Sequence, residues 1–271
     1  MTWRLFQGDA PLAAIPADER GLHYGESLFE TLRSHRGALP WWTQHWARLA
    51  AGAGRLGLPL PDARRARAEA LQLLAGQDAA LKLRLSRSGG RGYAAPDEGA
   101  PLWMLSVHPL PVPQAPLRLV WCKTQLGLQP QLAGLKHGNR LEQILARREV
   151  QQQGADEGLV CDSQGHVISA TSANLFILKD GQWHTPALQS AGVAGICREH
   201  LLAHTAARIR PLGRDEVDSA EAVFICNALR GIQPVRQLGA QIWPQIHPAI
   251  ATLQARLADT HPGLRIHPEA S

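Results

Sequence analysis

Lysine is scarce in this chain: of 28 Lys and Arg side chains, only Lys82, Lys123, Lys136 and Lys179 are lysines. Arginine stays protonated, so a sequence that writes its positive charge as arginine holds few amines able to lose a proton or form a Schiff base. Cysteine is sparse too. Cys122, Cys161, Cys197 and Cys226 stand far apart and make no CxxC pair, so no disulfide framework is evident and free thiols in a reducing compartment are expected. The 12 histidines include no HExxH or similar ligand spacing, which speaks against a structural metal. Aromatic residues are only 5%, and nothing reads as an RNP motif or a recognition helix. The net charge of +5 and pI near 9.4 therefore describe a solvated basic face better than a nucleic-acid patch. The densest basic run, Arg64, Arg65 and Arg67, falls on a solvent-facing helical stretch. No apolar run approaches the roughly 20 residues of a membrane-spanning helix. The opening MTWRLFQGDAPLAAIP lacks a basic segment followed by an apolar core, so no signal peptide is expected and the predicted location is cytoplasmic.

Apolar residues make up 45% of the 271 and charged residues 19%, an ordinary balance for one large or two modest globular domains. "LFETLRSHRGALPWW" predicts a hairpin turning at Arg36-Gly37. "TQHWARLAAGAGRLGL" predicts a helix with Trp46, Leu49 and Ala53 on one face. Leu81, Leu83 and Leu85 alternate with Lys82, Arg84 and Ser86, the period of a half-buried strand that runs into the glycine-rich turn "SGGRGY". "HPLPVPQAP", residues 108–116, has four prolines in nine residues and is the best linker candidate. Beyond it come a strand at "LRLVWCK", a helix after Lys136, hairpins at "DSQG" and "KDGQ", a helix at "GICREHLLAHTAARI" and a buried strand at "EAVFICNAL". The expected organisation is α+β: a small N-terminal domain over 1–107, the linker, and a larger C-terminal domain over 117–271 that includes Lys136.

Two stretches carry chemistry. In "AGLKHGNRLEQIL", Asn139 followed by Glu142 resembles a capping box, and Lys136 before it reads either as a surface lysine or as an amine kept for imine formation. In "SAGVAGICREHLL", Gly192 and Gly195 lead into a helix whose free N–H groups suit a phosphate. An amine and a phosphate cradle together suit a cofactor with both an aldehyde and a phosphate, which pyridoxal phosphate has.

Six segments extend this reading: "ERGLHYGESLFETLR" (19–33), "SRSGGRGY" (86–93), "LAGLKHGNRLEQIL" (132–145), "ADEGLVCDSQGHVISATSANLF" (155–176), "AGVAGICR" (191–198) and "ICNAL" (225–229). In this order they resemble the class IV (fold type IV) pyridoxal-phosphate family across nearly the whole chain. The "KHGNRLEQ" and "GGRGY" pieces are similar to the branch of lyases that act on aminodeoxychorismate, rather than to the aminotransferase branch. The resemblance implies a two-domain homodimer, in which Lys136 holds the cofactor as an imine and shuttles protons. Arg48 would grip the phosphate, the backbone amides of Ile196 and Cys197 would bind it, and Asn227 would lie beside it. Arg91 and Tyr93 would receive a substrate carboxylate, with His137 and Arg140 facing substrate or the dimer partner. The activity implied is α,β-elimination of 4-amino-4-deoxychorismate to 4-aminobenzoate and pyruvate. The alternatives are an aminotransferase for D- or branched-chain amino acids and, from another class, a non-catalytic basic binding protein.

One position departs from the pattern. Ser169, 33 residues after Lys136, stands where the family usually places a glutamate that pairs with the pyridine nitrogen; the cofactor contact there becomes a hydroxyl. Only Asp162 lies within seven residues as another carboxylate.

Overall fold

The computed structural model describes residues 2–94, 99–112 and 116–265. The contacts divide the chain into two compact units. The first comprises Met1–Leu110 with Leu135–Asn139, the second Pro111–Gly134 with Arg140–Ser271.

The first unit runs β1 (Thr2–Gln7), β2 (Ala10–Leu12), α1 (Arg20–His23), β3 (Ser27–Arg33), α2 (Trp42–Leu56), α3 (Ala63–Leu74), β4 (Ala80–Arg87) and β5 (Pro101–His108). Its strands form a five-stranded sheet in the order β2-β1-β5-β4-β3, with every pair antiparallel. Leu81, Leu83 and Leu85 are sealed in β4 and Lys82 and Arg84 are half-buried, as the alternation predicts, but Ser86 at the end of the series is buried as well. Truncating Leu83 to Ala would cost about 2–5 kcal/mol, the usual range for a sealed leucine. The Arg36-Gly37 turn forms, but the expected hairpin stops at a single His35–Ala38 bridge. Pro40 removes a ladder donor, and α2 begins at Trp42, so β3 pairs instead with β4. On α2 the buried stripe is Trp42, His45, Leu49, Gly52 and Ala53, with Trp46 only partly covered.

The second unit runs β6 (Leu117–Leu126), α4 (Leu141–Gln152), β7 (Glu157–Asp162), β8 (Val167–Ala170), β9 (Asn174–Lys179), β10 (Gln182–Pro186), α5 (Ile196–His204), β11 (Arg208–Arg210), α6 (Arg214–Asp218), β12 (Ala222–Asn227), β13 (Gly231–Leu238), β14 (Gln241–Ile242) and α7 (Pro248–Thr260). A mixed nine-stranded sheet has the order β11-β10-β9-β12-β13-β6-β7-β8, with β14 added to β13. Its core gathers Leu117, Leu119, Leu159, Ile177, Val223, Ile225 and Val235. The "DSQG" and "KDGQ" hairpins are β7–β8 and β9–β10. The helix expected to run to Ile209 ends at His204, and Arg208–Arg210 pairs with β10 as a parallel strand.

Two expectations around Lys136 change. Residues 135–139 group with the first unit rather than with the C-terminal part, because backbone bonds tie them to β3: Phe29 N–H donates to Lys136 O at 2.9 Å and Gly138 N–H to Ser27 O at 2.7 Å. The capping box does not form. Arg140 occupies the N-cap of α4 with no side-chain cap bond, and Glu142 Oε1 accepts from Gly127 N–H at 2.8 Å instead. The proline-rich stretch carries the division between the units, and its residues 113–115 lie outside the described residues. Among the described residues no helix is long and apolar enough to cross a membrane.

Candidate active site

Lys136 is half-buried, with Nζ 4.4 Å from the centroid of the Phe29 ring. Its backbone is fixed to β3 by the Phe29 and Gly138 hydrogen bonds and by the Leu28–His137 bridge, so the amine projects from a rigid edge. An aromatic face beneath an amine limits its hydration while leaving it chemically available. His137, the next residue, contributes the bridge to Leu28.

Beside Phe29, Glu30 is 1% exposed. It lies in phase with Leu28 and Leu32 on the buried face of β3, which is why a carboxylate enters the core. Two side chains three residues apart on α2 meet it. His45 Nδ1 is 2.6 Å from Oε2, and Arg48 donates from Nε to Oε1 at 2.8 Å and from Nη2 to Oε2. Burial alone would raise the Glu30 pKa, but the bonds from His45 and Arg48 outweigh it and hold the carboxyl below its ordinary value. Burial lowers the His45 pKa. The Glu30 bond opposes that shift, and the charges of Arg48 and Lys136 add to it. Arg48, assigned to a phosphate by resemblance, is thus oriented by a buried anion.

Arg91 and Tyr93 lie in the glycine-rich loop after β4, both exposed, with Tyr93 94% exposed. Among the described residues Arg91 has no ion pair. The Tyr93 ring stands edge-on to Tyr24 at 6.0 Å.

In the second unit, α5 begins at Ile196 after Gly195, whose N-cap brings no side-chain bond. The amides of Ile196 and Cys197 have no protein acceptor among the described residues. Such a helix start presents donors and the positive end of the dipole to an anion. Gly195 is fixed there by close approach: a Cβ would fall 2.0 Å from Asn174 Oδ1. Asn174 in turn donates to Val193 O at 2.9 Å and holds the loop. Cys197 and Cys226 are both sealed in the core, and the Cys226 thiol is pushed well above its ordinary pKa by burial and by Cys197. These features fit a phosphate, and the Lys136 amine fits the aldehyde of pyridoxal phosphate.

Asn227 turns out to serve its own loop. Its Oδ1 accepts from Leu229 N–H at 3.0 Å and Arg230 N–H at 2.9 Å, and its Nδ2 donates to Ser172 O at 3.4 Å. Ser169 is half-buried on β8 opposite Val160, and its hydroxyl makes no hydrogen bond among the described residues. The carboxylates of the neighbouring strand are occupied. Glu157 accepts from Thr171, from Ser172 at 2.6 Å and from Gly158 N–H at 3.0 Å. Asp162 accepts from Gln164 N–H and His166 N–H, each at 2.9 Å, and closes the hairpin. Arg140 is the α4 N-cap residue in this unit.

Sequence reasoning missed Glu30 and His45. The signals were present: an acid in phase with buried leucines, and a His-x-x-Arg spacing on one helix face.

The class IV amino-transferase family model matches residues 27–238. Aminodeoxychorismate lyase of Vibrio harveyi is 34% identical over 242 residues, 85% of this chain and 89% of that protein. The crystal structure of 4-amino-4-deoxychorismate lyase from Pseudomonas aeruginosa matches with a TM-score of 0.87 at 39% identity, covering 94% of this chain and 98% of that one. D-alanine aminotransferase of Listeria monocytogenes is 24% identical over 247 residues, 85% of this chain and 84% of that protein. By the family match and by these relatives, this chain belongs to the class IV amino-transferase family.

Proposed function

We propose that this chain is a pyridoxal-phosphate-dependent lyase that converts 4-amino-4-deoxychorismate to 4-aminobenzoate and pyruvate, and that it acts in the cytoplasm as a homodimer. The observation that carries the reading is the placement of Lys136, a lysine in a lysine-poor chain, held to β3 by backbone bonds with its amine over Phe29 and its charge felt by the buried His45. The likeness to lyases at 34% and 39% identity supports elimination over amino-group exchange. So does the hydroxyl of Ser169, which brings no negative charge to stabilise a protonated ring nitrogen.

When bound, pyridoxal phosphate supplies an electron-withdrawing ring conjugated to the substrate nitrogen, which acidifies the adjacent C–H bond. Lys136 takes that proton from the carbon bearing the nitrogen. The C–O bond at the neighbouring carbon breaks, its electron pair leaves with enolpyruvate, and the six-membered ring becomes aromatic. Enolpyruvate then picks up a proton to become pyruvate. The amides of Ile196 and Cys197 at the start of α5 would hold the phosphate, and Glu30 keeps the Arg48 fork in one orientation. Arg91 and Tyr93 take the ring carboxylate. Aromatisation drives the reaction forward, so the residues chiefly orient the C–H bond and provide the base. Self-association is supported by Leu141, Ile144 and Leu145 on α4, which are 74%, 55% and 49% exposed and spaced to form one ridge.

The test is a product assay on 4-amino-4-deoxychorismate. Formation of 4-aminobenzoate and pyruvate in equal amounts is expected. Keto-acid exchange with D- or branched-chain amino acids and no 4-aminobenzoate would move the chain to the aminotransferase reading. Protein that takes up no pyridoxal phosphate would make it a binding protein.

A further inference from the structure

Arg20 is 2% exposed and takes no part in the reaction just described. A buried guanidinium needs partners for its fixed fork of donors, and where those partners lie says what it does. Its Nε donates to Glu26, and its Nη1 donates to Gly90 O at 3.3 Å and Gly92 O at 3.0 Å. Gly90 and Gly92 are the two neighbours of Arg91. The guanidinium also lies 4.7 Å from the Tyr24 ring, and Tyr24 Oη accepts from Gly92 N–H at 2.8 Å. The peptide groups on either side of Arg91 are thus held by two side chains from the segment 20–24. Glu26, which anchors Arg20, is itself fixed by Arg87 Nε at 3.2 Å.

The loop needs such fastening. Gly89, Gly90 and Gly92 sit at φ of 93°, 78° and 78°, a region open to glycine and strained for other residues. Three such residues give the loop many alternative shapes, and a carboxylate receptor built on it would lose affinity to that freedom. Lysine could not replace the strap, because one ammonium cannot meet a carboxylate and two carbonyls in the plane that the guanidinium offers.

We infer that Arg20, with Tyr24, is a positioning residue that sets substrate affinity by strapping the Gly90–Gly92 backbone and so aiming Arg91. The inference rests on the proposal that Arg91 receives the substrate carboxylate. The test compares Arg20→Lys, Tyr24→Phe and Arg91→Lys as holoenzymes. It measures KM and kcat for 4-amino-4-deoxychorismate, pyridoxal-phosphate affinity, and amide hydrogen exchange over residues 88–93. Arg20→Lys is expected to speed exchange and raise KM about tenfold, the scale of a lost charged hydrogen bond, with kcat and cofactor affinity within about twofold of wild type on that same scale. Tyr24→Phe, which leaves Arg20 in place, is expected to do the same to a smaller degree, and it carries the test if Arg20→Lys does not fold. A KM raised by Arg91→Lys but by neither of the others overturns the strap alone. A KM unmoved by all three overturns the Arg91 assignment and the strap with it. A fall in kcat and cofactor affinity alongside the rise in KM makes Arg20 a general structural residue and also overturns the inference.

Discussion

Arg48 and Glu30 form a two-point ion pair inside the first unit, Nε to Oε1 at 2.8 Å and Nη2 to Oε2, with side chains 12% and 2% exposed. A planar fork gripped at two points keeps one orientation, so Glu30 sets where Arg48 points.

Glu30→Gln removes the charge and keeps the volume. It leaves a largely buried guanidinium without its counter-ion, and a stability loss of about 3–5 kcal/mol is expected. The Glu30 pKa is lowered in the fold, so its contribution is present above the unfolded value near 4.5 and disappears as pH falls through the folded value. Denaturant unfolding of wild type and Glu30→Gln at a series of pH values checks this. The two stabilities should converge toward low pH; a constant gap would mean that the charge is not the cause.

Lys136→Arg keeps a cation but loses an amine able to deprotonate. The visible absorption of lysine-bound cofactor and the elimination activity should vanish together, with the far-UV circular dichroism unchanged. Full activity in Lys136→Ala, with the cofactor held on Lys82, Lys123 or Lys179, would refute the role.

Arg91→Lys should lower kcat/KM for the chorismate-type substrate by about 1.5–3 kcal/mol, the worth of a charged hydrogen bond, and leave cofactor affinity nearly unchanged. Steady-state kinetics beside a cofactor titration measure both. An unchanged kcat/KM returns Arg91 to the status of a turn residue.

Ser169→Glu should raise half-transamination of added amino acids relative to elimination. Ser169 offers a hydroxyl without charge. A glutamate there would bring a negative charge able to keep a bound cofactor's ring nitrogen protonated and make that ring a stronger electron sink, which amino-group exchange would need more than elimination does. Wild-type protein that transaminates efficiently, or a mutant ratio that does not move, would remove this account of the serine.

Acid sensitivity should begin well above the carboxylate range. Burial pushes the pKa of His200 down to about 4, assisted by the charges of His204 and His261, and burial likewise lowers His45, His184 and His261. Unfolded histidines take up protons near 6.5 while these folded ones resist, so stability is full above that value and falls as pH drops toward 4. His200→Gln should flatten this part of a melting-temperature profile. An identical profile in the variant would assign the loss to other groups.

Much of this protein was determined by the sequence alone. Leu81, Leu83 and Leu85 specified a strand because side chains alternate across a pleated sheet, and the "DSQG" and "KDGQ" turns specified their hairpins by local backbone preference. Lys136 stood out because imine chemistry needs an amine that arginine cannot supply. Local pattern misjudged what long-range partners decide. Asn139 and Glu142 had the spacing of a capping box, but Glu142 bonds Gly127 N–H and the cap is not made. Residues 135–139 follow the proline-rich stretch in sequence, yet hydrogen bonds to β3 attach them to the first unit. Only the tertiary structure paired Glu30 with His45 and Arg48, 15 and 18 residues away, or laid Arg20 under Gly90 and Gly92, 70 and 72 residues away. A residue's own preferences act over a few neighbours, whereas a buried charge must find whatever donor or acceptor the folded chain brings to it.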